Sequence, residues 1–200
     1  MGFPAIMNAP NSILPHDGEA LLFSESAPFS DPVWLDRLID SLMWTPDTVI
    51  MFGKLREMRR KSAWYGDLDA HYTYGGIKRT PLPWTPELLQ IKLHCEAIAE
   101  TTFNSVLCNL YHDGNDGMGW HADNEKELGP NPVIASVSFG AERPFAFKHR
   151  ITKQRIDIRL AHGTILIMKG KCQESWLHSL PKTVKVMQPR INLTFRNILM

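Results

Sequence analysis

The stretch Arg190 to Arg196 alternates strictly: Ile191, Leu193 and Phe195 occupy one face of an extended chain and Arg190, Asn192, Thr194 and Arg196 the other. Side chains two apart along a strand share a face. An apolar row this regular predicts a strand packed in the core, and such a strand turns two guanidinium groups toward the interior. A buried charge without a partner costs several kcal/mol. Arginine cannot shed its charge, and its planar fork matches a carboxylate through two parallel bonds. The strand therefore predicts either internal acids, with Asp123 and Glu174 as candidates, or bound anionic groups.

This segment closes a longer pattern. From Asn104 onward, short runs rich in Val, Ile, Leu and Phe recur at 104–111, 132–139, 143–149, 154–160, 163–168 and 190–197, broken by Gly, Pro, Asn and Asp. Regular short strands with turn signals predict a sandwich or jelly roll. The N-terminal half reads differently. Asp31-Pro32 is a helix start signal, followed at helical spacing by Leu35, Leu38, Ile39 and Leu42; Thr85-Pro86-Glu87 repeats it before Leu88, Ile91, Cys95 and Ile98. The expected fold class is α+β, mainly β: a double-stranded β-helix, or jelly roll, over about 104–198, with N-terminal helices.

Residues 1–19, rich in Pro, Asn and Gly with no apolar period, read as a flexible N-terminal segment, and 20–200 as a single domain. A hydrophobic fraction of 44% is enough to build its core. Cys95, Cys108 and Cys172 are odd in number and lack Cys-x-x-Cys spacing, which argues against a disulfide framework and for a reducing, intracellular setting. No apolar run approaches the roughly 20 residues of a membrane span. The start lacks a basic region before an apolar run, and Ile6 stands where a myristoylation signal needs Ser or Thr. The expectation is a monomer, unattached to a membrane, in a bacterial cytoplasm or a nucleus. Net charge is only +1, yet Lys54, Arg56, Arg59, Arg60 and Lys61 crowd one segment against a single acid, Glu57. That run is either a solvated face or a phosphate-contacting strip.

The residues that carry chemistry are His121-Ala122-Asp123 and the distant His178. Two imidazoles and one carboxylate form the facial ligand set of a non-haem iron(II) site, which leaves positions open for a co-substrate and O2. His121 and Asp123 share a side if their segment is extended, and a jelly roll can bring His178 to them at its open mouth. 2-Oxoglutarate, with a carboxylate at each end, answers the inward arginines beside such an iron. Asn109 and Tyr111 share a face on the strand preceding the metal segment and offer neutral donors to the same molecule.

With His121, Asp123, His178, Arg190, Asn192 and Arg196 in place, the chain resembles the AlkB family of Fe(II)/2-oxoglutarate-dependent nucleic-acid dealkylases from about Phe52 to Asn197. The most specific pieces are Asn109-Leu110-Tyr111, the His-x-Asp segment, Ala135-Ser136-Val137-Ser138-Phe139-Gly140 and the Arg-x-Asn-x-x-x-Arg spacing of 190–196. The resemblance implies that His121, Asp123 and His178 bind iron and are catalytic. It implies that Asn109, Tyr111, Arg190, Asn192 and Arg196 hold 2-oxoglutarate, with Arg190 on its distal carboxylate. It also makes about 45–80 a nucleotide-recognition lid, in which Tyr74, with Tyr72 nearby, stacks on an extruded base. Glu125 matches an acidic position that contacts the exocyclic amine. Asn124 departs from an acid found in duplex-repairing members, which puts base preference in doubt. Val49 to Lys54 resembles a segment that pushes an apolar finger into duplex DNA, making Phe52 the candidate wedge. Ala63-Trp64-Tyr65-Gly66-Asp67 and Gly119-Trp120-His121 are closer to members favouring single strands.

The implied activity is oxidative demethylation of 1-methyladenine and 3-methylcytosine in DNA, a dioxygenase reaction releasing formaldehyde and succinate. An RNA demethylase or protein hydroxylase of the same cofactor class is the alternative. A non-enzymatic reading makes the three ligands a structural zinc site, although such sites are usually closed by four protein ligands.

Overall fold

Period-two alternation organises the core into layers. The computed structural model describes residues 10, 12–23, 27–51, 54–70, 72–74 and 77–199. Its strands are β1 (Glu19–Phe23), β2 (Thr45–Met51), β3 (Lys54–Gly66), β4 (Tyr72–Tyr74), β5 (Ile77–Arg79), β6 (Ser105–Tyr111), β7 (Met118–His121), β8 (Ile134–Gly140), β9 (Arg143–His149), β10 (Arg155–Leu160), β11 (Ile165–Lys169), β12 (Trp176–Leu180) and β13 (Arg190–Arg196). The helices are α1 (Val33–Ser41), α2 (Pro86–Ala99) and the single turn α3 (Cys172–Ser175). A seven-stranded sheet runs β1-β11-β8-β13-β6-β3-β2, a four-stranded sheet runs β10-β9-β12-β7, and β4 pairs with β5 alone.

Ile165 and Ile167 of β11, Cys108 of β6 and Leu193 and Phe195 of β13 pack with Trp34, Leu38, Leu88, Ile91 and Cys95 of the helices. Their strand neighbours Leu166, Met168, Leu107 and Tyr111 pack with Phe145, Phe147, Trp176 and Leu180 of the smaller sheet. The large sheet is thus buried on both faces, by helices on one side and by the four-stranded sheet on the other. β13, between β8 and β6, lies at its centre. This is the expected mainly-β jelly-roll architecture.

The helix signals hold in detail. The Asp31 carboxylate accepts from Val33 N–H at 2.9 Å, and Thr85 Oγ1 from Leu88 N–H at 3.3 Å. Each satisfies an amide that the first helical turn leaves without a backbone partner. The expected strands at 104–111, 132–139, 143–149, 154–160, 163–168 and 190–197 correspond to β6, β8, β9, β10, β11 and β13 within two residues. β1–β5, β7 and β12 were not expected, because they are short, polar or interrupted by charge.

The N-terminal boundary needs correction. Within the segment expected to be flexible, Leu14 is buried, Ile13 N–H donates to the Ala20 carbonyl at 2.9 Å, and the Trp176 indole donates to the His16 carbonyl at 3.0 Å. Apolar periodicity is blind to a segment seated by backbone bonds and one aromatic contact. No helix among the described residues is long and apolar enough to cross a membrane.

Candidate metal and anion site

His121 is the last residue of β7 and lies directly opposite His178 of β12, so strand pairing alone brings the imidazoles together. Their ring centroids are 4.3 Å apart. Asp123 follows two residues past the strand end, and ligand atoms of all three residues lie within 4.8 Å of one another. His121 Nδ1 is 2.8 Å from the Gly119 carbonyl oxygen. A carbonyl only accepts, so Nδ1 carries the proton and Nε2 keeps its lone pair. That Nε2 stands 3.9 Å from Asp123 Oδ1. The other carboxylate oxygen, Oδ2, takes Arg196 through Nη2 at 2.8 Å and Nε at 3.3 Å. Asp123 therefore divides its oxygens, one for the guanidinium and one facing the imidazole.

Electrostatics favour a cation there. Burial pushes the Asp123 carboxyl upward, but Arg196, His178 and His121 outweigh it and hold the group well below the usual carboxylate range. Burial, reinforced by His121, pulls the His178 imidazole down to about 3. The result is an ionised carboxylate beside a neutral His178 imidazole, the protonation state that metal ligation requires of these groups. No cysteine joins the three among the described residues. Burial, then the Asp123 charge, lifts the Cys172 thiol to about 12, so it stays protonated. Two nitrogens and one oxygen, with no fourth protein ligand among the described residues, fit an open iron(II) centre better than a closed structural zinc site.

Beside the triad lies a cavity lined by Asn109 and Tyr111 of β6, Ser136 of β8, Phe145 of β9, Met168 of β11 and Arg190, Asn192, Thr194 and Arg196 of β13. The two inward arginines have different partners. Arg196 is the one paired with an internal acid, Asp123, and Glu174 pairs with neither among the described residues. Arg190 is 1% exposed. Its Nη2 donates to Ser138 Oγ at 2.9 Å, and its guanidinium carbon lies 5.5 Å from the centroid of the Tyr111 ring. Among the described residues its Nε has no partner and no carboxylate pairs with the guanidinium. Burial brings the Arg190 guanidinium down to about 10, with Tyr111 opposing and Arg143 adding to the fall. Asn109 Oδ1 and His178 Nδ1 are likewise buried without partners among the described residues. An unanswered buried cation in this cavity is what a small dianion would resolve, and Asn109 can offer such a molecule its amide N–H donors.

Asn109, Tyr111, Arg190, Asn192 and Arg196 thus come together as expected. The Asn192 amide is already committed, donating to Ser136 Oγ at 2.8 Å and the Val137 carbonyl at 3.1 Å. Glu125 does not line the cavity. It precedes the short turn Lys126–Leu128, and its Oε2 is buried without a partner among the described residues. Tyr72 and Tyr74 fall on β4, of which only the backbone is described, and Phe52 lies outside the described residues. The basic strip is divided by strand alternation: Arg60 is buried while Arg56, Arg59 and Lys61 are exposed, and Arg59 is held by Asp113 at 2.9 Å.

Sequence reasoning gave no role to Ser138, although its position two residues from Ser136 on an inward face was legible. It also missed Gln173, whose side-chain oxygen accepts from Asp123 N–H at 2.9 Å. Nothing in a single-turn helix signals such a contact.

Comparisons with known proteins agree with this geometry. Residues 30–196 match the 2OG-Fe(II) oxygenase superfamily. Human DNA oxidative demethylase ALKBH2 is 44% identical over 160 residues, 76% of this chain and 61% of that protein. Mouse alpha-ketoglutarate-dependent dioxygenase alkB homolog 3 is 41% identical over 174 residues, 82% of this chain and 60% of that protein. The chain spans about three fifths of the length of these relatives. The Arabidopsis thaliana DNA oxidative demethylase ALKBH2 is 32% identical over 227 residues, covering 98% of this chain and 72% of its own. The solved structure of OsALKBH1 shares the fold, with a TM-score of 0.60 over 89% of this chain and 96% of that one at 17% identity. A carboxylate flanked by two imidazoles, a buried arginine with no acid partner among the described residues and a match running through both lead to one assignment: the chain belongs to the 2OG-Fe(II) oxygenase superfamily.

Proposed function

We propose that this chain is a dioxygenase that removes alkyl groups from nitrogen atoms of DNA bases, with 1-methyladenine and 3-methylcytosine as substrates. The observation that carries the reading is Arg190, a fully buried guanidinium answered by Ser138 and Tyr111 but by no acid among the described residues, beside His121, Asp123 and His178. The names of the 43–45% identical relatives, DNA oxidative demethylases, support DNA as the substrate.

In this reading His121 Nε2, an Asp123 oxygen and His178 hold iron(II), and Arg190, Ser138, Tyr111 and Asn109 receive 2-oxoglutarate, with Asn192 and Arg196 lining its cavity. Iron(II) with 2-oxoglutarate and O2 supplies the oxidising power that hydroxylates the alkyl carbon, giving succinate, carbon dioxide and, from the hydroxylated base, formaldehyde. The protein's part is positioning. Arg196 keeps Asp123 ionised and orients it.

Alkylation at the pairing edge leaves a cationic base that no longer pairs. Extruding such a base costs less than extruding an intact one, which contributes to damage selectivity. Tyr74, with Tyr72 beside it, would stack on it, and an aromatic face attracts the positive charge. Glu125, with an oxygen unspent among the described residues, would accept from the exocyclic amine. Phe52 would enter the gap left in a duplex.

Formaldehyde release on methylated DNA, methylated RNA and methylated peptide, run in parallel, tests the substrate. Release on DNA is expected, and release confined to RNA or peptide refutes the assignment. Arg190→Ala should abolish 2-oxoglutarate turnover; unchanged turnover would remove the anion assignment. Phe52→Ala should weaken repair of duplex more than of single strands, and equal losses argue against a wedge.

A further inference from the structure

Asp123 has a weakness that His121 and His178 do not share. The two histidines sit on paired strands, whereas Asp123 lies beyond the end of β7 in a loop without a ladder to hold its backbone. Its N–H donates to Gln173 Oε1 at 2.9 Å, a bond that is buried. Gln173 is 1% exposed, and its amide nitrogen reaches Met168 Sδ at 3.5 Å. The amide orientation is therefore decided, since only the oxygen can accept from Asp123 N–H.

Gln173 is itself anchored from behind. It belongs to α3, and a Cβ added at Gly18 would come within 2.5 Å of the Cys172 nitrogen and 2.6 Å of its Cα, so the N-terminal segment packs directly on this turn. The Trp176 indole, at the junction of α3 and β12, donates to the His16 carbonyl at 3.0 Å.

We infer that Gln173 is a positioning residue for the metal site: it holds the Asp123 backbone so that the side chain can divide its two oxygens between Arg196 and a cation. The inference rests on the assignment of His121, Asp123 and His178 as metal ligands. Removing an acceptor that orients a ligand typically costs 10- to 100-fold in metal affinity. The same loss is expected for Gln173→Met, which keeps the length and apolar bulk of the side chain but has no oxygen. Gln173→Glu, protonated in this buried place, keeps an acceptor toward Asp123 and a donor toward Met168. Met168→Leu removes only the sulfur contact.

The test is Mn(II) titration of the metal-free full chain, with free Mn(II) counted by electron paramagnetic resonance. The expected result is a Kd raised at least about tenfold in Gln173→Met and within about threefold of wild type in Gln173→Glu and Met168→Leu. Wild-type affinity in Gln173→Met, or an equal loss in Gln173→Glu, overturns the role. Asp123→Ala separates the two levels: if it binds Mn(II) like wild type, the ligand assignment itself fails, whatever Gln173 does. Should Gln173→Met not fold, amide exchange in the wild type decides. Slow exchange of the Asp123 N–H in the metal-free protein is expected, and an unprotected amide overturns the inference.

Discussion

Arg190→Met is expected to abolish the stabilising response to 2-oxoglutarate while leaving the ligand-free protein at least about as stable as wild type. Burial lowers the Arg190 guanidinium from its usual range to about 10. A tenfold change in acidity corresponds to about 1.4 kcal/mol, so the unanswered charge destabilises the ligand-free fold by something on the order of 3 kcal/mol. Methionine removes that penalty and fills similar space. It forfeits the Ser138 hydrogen bond, worth about 1 kcal/mol, and the contact over Tyr111, about 1–2 kcal/mol. These terms nearly cancel. Had Arg190 possessed an internal counter-ion, the same substitution would strand a buried carboxylate and cost about 3–5 kcal/mol. Urea unfolding of the metal-free protein distinguishes the two. In Mn(II)-loaded wild type, 2-oxoglutarate at about 100 times its Kd should add roughly 2.7 kcal/mol, a rise in Tm of about 5–10 °C for a chain of this length. In the variant the rise should vanish. A ligand-free Arg190→Met destabilised by 3 kcal/mol or more, or one that keeps the 2-oxoglutarate response, would refute the reasoning.

Stability of the metal-free protein should fall as pH drops from about 6.5, the ordinary histidine value, toward 3. The folded state refuses a proton at His178 that the unfolded state accepts. His178→Gln should flatten the urea midpoint between pH 7 and pH 4.5. Asp123→Asn leaves Arg196 buried against a neutral amide and should cost about 3–5 kcal/mol, read by the same unfolding assay. Gly114→Ala would put a Cβ 1.9 Å from the Thr183 carbonyl oxygen, between loops joined by Gly114 N–H to Val186 O at 2.7 Å and Thr183 N–H to Gly114 O at 2.8 Å. It should lower stability by about 1–3 kcal/mol. Gly119→Ala, with nothing within 4 Å of the added carbon, should change it by less than about 0.5 kcal/mol.

Where local chemistry was sufficient, the amino-acid order already carried the answer. Alternation along 190–196 depends only on strand geometry, and it told which face of β13 carries the apolar core row and which turns the two arginines inward. The caps at Asp31 and Thr85 are contacts between near neighbours in the chain, so they too were legible. The three ligand types and the two arginines were visible as residues. Their unequal fates were not: whether a buried guanidinium finds an acid depends on which strand lies beside it. Pairing of β12 with β7 set His178 against His121, and the loop after β7 delivered Asp123 to Arg196 but left Arg190 to Ser138 and Tyr111. Gln173, the seat of His16 against Trp176 and the close approach of Gly18 to Cys172 belong to the same class. Each joins segments far apart in sequence through a single polar or backbone contact, which produces no period, cap or turn signal for composition to reveal.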